Sequence, residues 1–228
     1  MAENPRDLQM ALNAISIYCE QWKLKINVDK TKIIRFAKIR SNHTPQDFWL
    51  KGEKVEVVEN YVYLGTTFSF NGKYRHAKMK QVTQAQRALF AIKAQKERYN
   101  LPVDIVLDLF DKMILPILLY GCEIWGFEDI DCIEIFYRKF LKYVLRVNMQ
   151  TTNCMVYGET GRKPLGLKIK SRMICFWHKT LTGVNNKLSF KLLHLLNNLK
   201  LRNQYSSPWL LNIERILNSC GLGYVWLN

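Results

Sequence analysis

The 228-residue chain is 48% hydrophobic and 23% charged, which excludes disordered, collagen-like and low-complexity classes and suits one or two domains with a buried core. Its longest apolar run, Met113 to Tyr120, falls far short of the ~20 residues of a membrane span, and its opening residues lack the pattern of a secretory signal. Its net charge of +15 is uneven: 18 Lys/Arg against 9 Asp/Glu in residues 1–100, 1 against 8 in 101–134, and 15 against 2 in 135–228.

Asn4 as N-cap, Pro5 at the first helical position and Asp7 in the first turn predict a helix at the start of the chain. Leu8, Ala11, Leu12, Ile15, Tyr18, Cys19 and Trp22 recur at helical spacing and mark its packed face. Asn27 to Lys30 reads as a turn and Lys32 to Ala37 as a strand. Phe48–Lys51, Gly52 and Lys54–Val58 read as a hairpin, and Tyr61–Phe68 as one further strand ending before the Asn71-Gly72 turn.

Beyond Lys73 the pattern is almost wholly helical. Val82, Ala85, Leu89 and Ile92 form a stripe, with Lys78, Lys80, Arg87, Lys93, Lys96 and Arg98 decorating the rest. Pro102 opens a helix from Val103 to Tyr120, which Pro116 should kink or end. Ile133, Phe136, Phe140 and Val144 mark the next, with Arg138, Lys139, Lys142 and Arg146 beside it. Gly158 to Gly166 reads as a basic connector, followed by helices at about 169–182 and 187–200 and a last one capped by Ser207 and opened by Pro208. The fold class is α+β: residues 1–72 combine a helix with antiparallel strands, 73–150 form a helical region, and 151–228 a basic helical extension.

Two basic lobes around an acidic segment attract polyanions, so nucleic acid is the expected partner, with a solvated basic surface as the alternative. The six cysteines form no Cys-x-x-Cys pair and read as reduced, mostly buried thiols of an intracellular protein. Cys175-x-x-His178 offers two ligands where a zinc site needs four. His43, His76, His178 and His194 have no catalytic partner spacing. Glu123, Glu128, Asp129, Asp131 and Glu134 lack calcium-loop spacing and read as helix-start residues pairing with the basic lobes, not as a metal site.

The order of motifs resembles one family. Leu8-x3-Leu12, Tyr18-Cys19-x2-Trp22-x-Leu24-x-Ile26-Asn27-x2-Lys30-Thr31, then Phe48, Gly52 and Tyr61-x-Tyr63-Leu64-Gly65, resemble the palm end of reverse transcriptases of non-LTR (LINE-type) retrotransposons. Trp22 to Thr31 is similar to motif D, and Tyr63-Leu64-Gly65 to motif E, the primer grip. Pro116-x3-Tyr120-Gly121-x-Glu123-x-Trp125 resembles the thumb and post-thumb region, and Tyr157–Pro164 and Phe176-Trp177-x-Lys179 resemble later segments of the same polyproteins.

The resemblance implies that Lys30 stands near the incoming nucleotide's phosphates as a proton donor, with an ordinary turn lysine as the alternative reading. It implies that Tyr63, Leu64 and Gly65 hold primer backbone, although Tyr63 fits a core aromatic equally well. It implies a thumb-like duplex grip by Lys73, Lys78, Lys80, Arg87 and Lys93, with Arg138 and Lys142 on a second basic face.

The departure is equally telling. The family's two-metal chemistry needs an Asp-Asp pair just before the first helix, and no Asp-Asp pair occurs in this chain. The resemblance therefore implies a piece of polymerase without its first palm strands and fingers, or a gene reading that starts inside one. It holds no cofactor of its own, since Mg²⁺ would serve only an intact enzyme, and it grips an RNA or DNA template–primer duplex in the nucleus or cytoplasm without membrane attachment. A non-enzymatic nucleic-acid-binding module and a decayed transposon frame without function remain the alternatives.

Overall fold

The first helix forms where its caps direct it. Asn4, in extended conformation, accepts the Asp7 N–H at 2.9 Å, and Pro5 stands where a missing N–H costs nothing. Helix α1 thus spans Pro5–Gln21. The computed structural model describes residues 2–37, 46–183 and 188–227, and the chain divides into two compact units, Met1–Ala77 and Lys78–Asn228. His43 and the expected helix start at 187 lie outside the described residues.

In the first unit, β1 (Lys32–Ile34), β2 (Phe48–Leu50) and β3 (Glu53–Val58) form a sheet in the order β1-β3-β2. The β2–β3 pair is antiparallel, turning through Lys51 and Gly52 at φ +52° and +78°, the two-residue turn whose twist suits a hairpin. The β1–β3 pair is parallel, with Lys32 opposite Glu56, so the sheet is mixed rather than purely antiparallel. β1 ends at Ile34, short of the expected Ala37, because its partner β3 ends at Val58 opposite Ile34.

Leu12 of α1 packs with Ile33, Phe48, Leu50 and Val55 to make this unit's core. The Gln9 carboxamide donates to the Trp49 carbonyl at 2.8 Å and accepts the Trp49 N–H at 3.0 Å. It stands in for a neighbouring strand at the β2 edge. The packed face of α1 is narrower than its periodicity implies: Ile15, Tyr18 and Trp22 are exposed, and only Leu12 and Cys19 are buried. Three short strands offer too little surface to cover five helical turns.

The single strand expected over 61–68 is two. β4 (Asn60–Tyr63) and β5 (Thr66–Ser69) pair antiparallel, and the chain reverses at Leu64 and Gly65, φ +48° and +81°. Gly65 takes that conformation without steric cost.

The remaining helices are α2 (Arg75–Tyr99), α3 (Val103–Leu109), α4 (Leu115–Leu118), α5 (Cys122–Trp125), α6 (Asp131–Val144), α7 (Asn153–Thr160), α8 (Leu165–Leu181), α9 (Leu188–Leu201), α10 (Pro208–Ser219) and α11 (Tyr224–Leu227). Helical structure continues past Pro116 to Leu118. A π-helical turn, Phe110–Ile114, precedes it, and the Leu115 N–H bonds five residues back to the Phe110 carbonyl. The wider turn absorbs the clash a proline makes with the preceding carbonyls. Phe110 is buried there and stacks on Phe140 of α6 with ring centroids 4.1 Å apart.

The connector expected over 158–166 shrinks to Gly161–Pro164. Gly161, φ +62°, ends α7, and Gly166 lies in the first turn of α8, where a Cβ would stand 3.1 Å from Ile130 and 3.5 Å from Glu134. Ser207 occupies the N-cap of α10 without a side-chain cap bond, and α11 follows Gly221 unforeseen. Cys19 and Cys122 are buried, but Cys154, Cys175 and Cys220 are exposed, so the cysteines are not mostly buried. No described helix is long and apolar enough to cross a membrane. The fold is α+β, as its periodicities predict.

Candidate nucleic-acid interface

Residues 78, 82, 85, 89, 92 and 96 recur at spacings of four and three, the inward stripe of α2. Val82, Ala85, Leu89 and Ile92 are buried along it, and so are Lys78 and Lys96 at its ends. The Lys78 ammonium donates to Glu128 at 2.8 Å and to the Asp129 carbonyl at 2.7 Å. The structure therefore removes Lys78 from the basic face. Lys142 is likewise withdrawn from the second basic face: its ammonium turns inward and donates to the Met149 carbonyl at 2.7 Å. A buried ammonium persists only with such acceptors, and these acceptors leave it unavailable to a phosphate.

The acidic segment is used internally. Besides Glu128, Asp129 accepts the Asp131 N–H at the start of α6. Buried Glu134 accepts the Gly166 N–H at 2.6 Å and the Tyr157 hydroxyl at 3.2 Å. Burial and the Glu134 charge push the Tyr157 hydroxyl up to about 12. The Arg138 charge beside Tyr157 offsets part of that rise, and Arg172 lies 3.9 Å from Glu123. Among the described residues, no three His, Cys, Asp or Glu side chains converge to hold a metal ion.

On the outside of α2, Lys80 is half-buried and Arg87 exposed, two turns apart on one face, and Arg75 and Arg98 are exposed near its ends. A groove of about 370 Å³ lies between α2 and α6. Leu89, Phe136 and Phe140 form its floor, and Phe90, Lys93, Lys139 and Tyr143 its walls. The Lys93 ammonium sits 4.3 Å from the Tyr143 ring centroid and that of Lys96 4.4 Å from it. The Tyr143 hydroxyl donates to Glu97 at 3.1 Å. Burial and that bond raise the Tyr143 pKa, so the phenol stays a donor. Burial first, then Arg146, lowers the Lys96 pKa.

The first unit carries the other candidates. The Lys30 N–H is held by the Asn27 side chain at 2.9 Å, and the Lys30 carbonyl accepts the Tyr61 hydroxyl at 3.2 Å. That bond ties the Lys30 turn to β4, two residues before Tyr63. Tyr63, Leu64 and Gly65 form the hairpin tip, where Tyr63 is exposed rather than a core aromatic. Lys73 is exposed after the Asn71-Gly72 turn, its N–H on the Asn71 side chain. Thus Lys30 and Tyr63–Gly65 share one unit, Lys80, Arg87 and Lys93 line α2 of the other, Lys78 and Lys142 are held by internal acceptors, and Arg138 is half-buried on α6. Phe90 and Tyr143 escaped sequence reasoning, although Phe90 falls outside the apolar stripe of α2 and so signals an exposed aromatic.

Over 131 residues the chain is 26% identical to an uncharacterised transposon-derived protein of Caenorhabditis elegans, covering 56% of this chain and 46% of that protein. The chain thus spans about half the length of the curated relative it matches. No protein-family model and no solved structure matches it.

Proposed function

We propose that this chain is the nucleic-acid-gripping part of a reverse-transcriptase-derived polypeptide of a LINE-type element. The similarity to a transposon-derived protein and the motif order from Trp22 to Lys179 support that lineage. Residues 1–72 correspond to the palm end, 73–150 to a thumb-like region and 151–228 to a basic extension. The single observation that carries the binding role is the groove between α2 and α6, whose apolar floor is walled by Lys93 and Lys139. These two cations, with Lys80 and Arg87 on the outer face of α2, supply the positive charge that meets the backbone of a template–primer duplex.

The role is binding rather than catalysis. Nucleotidyl transfer requires converging carboxylates with Mg²⁺, and the chain's acidic cluster is spent on Lys78, Gly166 and Tyr157. Lys30 would serve as a proton donor only beside such a centre.

The test is a salt titration of affinity for an RNA–DNA hybrid and for duplex DNA. Four phosphate contacts give a log–log slope of about −3.6 on B-DNA, and the double variant Lys93→Glu/Lys139→Glu should reduce its magnitude by about 2. A wild-type chain that binds neither duplex at low ionic strength refutes the proposal. That result would favour a decayed frame without function, a reading that the exposed Met10 and Ile17 on one side of α1 otherwise support.

A further inference from the structure

Phe90 is 76% exposed, and among the described residues no other ring stacks on it. An aromatic ring of that area is normally covered, and this one stands at the mouth of the α2–α6 groove. The other aromatic wall is already engaged: the Tyr143 ring faces the Lys93 and Lys96 ammoniums, and its hydroxyl holds Glu97. Tyr143 thereby stations Lys93 at the groove, opposite Lys139 on α6. The site thus offers one free aromatic face, an apolar floor and two cations.

We propose that the groove holds a single unpaired nucleotide, its base stacked on Phe90 and its phosphate between Lys93 and Lys139. The volume supports one small ligand: about 370 Å³ lies at the low end of the roughly 300–1,000 Å³ of small-molecule sites. A double helix is far wider, and its internal bases present no free face, so a duplex can meet only the rim. An unpaired base presents a full π-face, and stacking on an aromatic is tolerant of base identity. The two cations supply the charge complementarity that an apolar ligand would not require, and they favour a nucleotide over a hydrophobic peptide. The inference rests on the nucleic-acid reading above and deepens it. That reading concerns duplex backbone, whereas this one says that the preferred substrate carries a single-stranded stretch beside the duplex.

The test compares a blunt duplex with the same duplex bearing an unpaired overhang, in DNA and RNA forms, with 2-aminopurine at the unpaired position. The wild-type chain should bind the overhang form about tenfold more tightly, in the range of one aromatic–base stack, and quench the probe. Phe90→Ala should abolish both the preference and the quenching and, because it removes no charge, leave the salt slope of binding unchanged. Phe90→Trp should retain both. Because Phe90 is exposed, these variants should fold as the wild type does, which a matching thermal melt verifies. Equal wild-type affinity for blunt and overhang forms overturns the inference while leaving duplex grip intact, as does a Phe90→Ala chain that keeps the preference. Absence of binding to every probe overturns both proposals. A preference confined to RNA or to DNA assigns the strand type.

Discussion

Lys78 separates two roles that a lysine in a basic helix can play. In Lys78→Met the apolar stem is retained while two bonds from the ammonium are lost, at 2.8 Å to Glu128 and 2.7 Å to the Asp129 carbonyl. Removing one partner of a buried ion pair costs ~3–5 kcal/mol, because the other is left as an uncompensated charge. Glu128 keeps 17% of its side-chain exposure and a further contact, which places the cost near the lower end, about 3 kcal/mol. For a chain of this size that lowers Tm by about 6–12 °C. Urea unfolding followed by circular dichroism measures the loss, and a salt titration of duplex binding measures the charge. Lys78→Met should be strongly destabilised with an unchanged salt slope. Near-wild-type stability together with a slope reduced by about one phosphate contact would refute the buried-pair assignment and return Lys78 to the binding face.

Two further outcomes follow from packing and ionisation in the second unit. Gly126→Ala places a Cβ 2.3 Å from Ile169 Cγ2 and 2.6 Å from the Cys122 carbonyl, where α5 meets α8, and should cost about 2–3 kcal/mol in chemical denaturation; a neutral result would show that the α5–α8 contact yields freely. Tyr157 ionises at about 12 in the folded chain against 10.0 ordinarily, so its neutral form contributes stability that is full below pH 10 and lost as pH rises towards 12. Tyr157→Phe should therefore lose stability less steeply than the wild type across that interval, and parallel alkaline denaturation profiles would contradict the burial of Tyr157 together with its Glu134 contact.

Local rules carried much of this chain. The Asn4-Pro5 start, the Lys51-Gly52 turn and the stripe Val82, Ala85, Leu89 and Ile92 are each set by neighbours within a few residues, and all three appear in the structure as the sequence dictates. The reversal at Leu64 and Gly65 was less legible, because an apolar strand on both sides masks a turn whose only local sign is one glycine.

The amino-acid sequence by itself determined the helical periodicity, the small strand-bearing start, the excess of positive charge and its division around an acidic segment. Only tertiary structure decided which of those charges face water. Lys78 and Arg87 are both cations of α2; the helical period sets Lys78 on the apolar stripe and Arg87 off it, but it supplies no acceptor for a buried ammonium. Lys78 is buried because Glu128 and the Asp129 carbonyl, about fifty residues further along, fold back to accept its protons. The groove is likewise a property of two helices and not of either alone: Phe90 and Lys93 acquire a site only when α6 brings Lys139 and Tyr143 opposite them. Periodicity is written in bonds between near neighbours, whereas the burial of a charge depends on acceptors that only chain folding brings within reach.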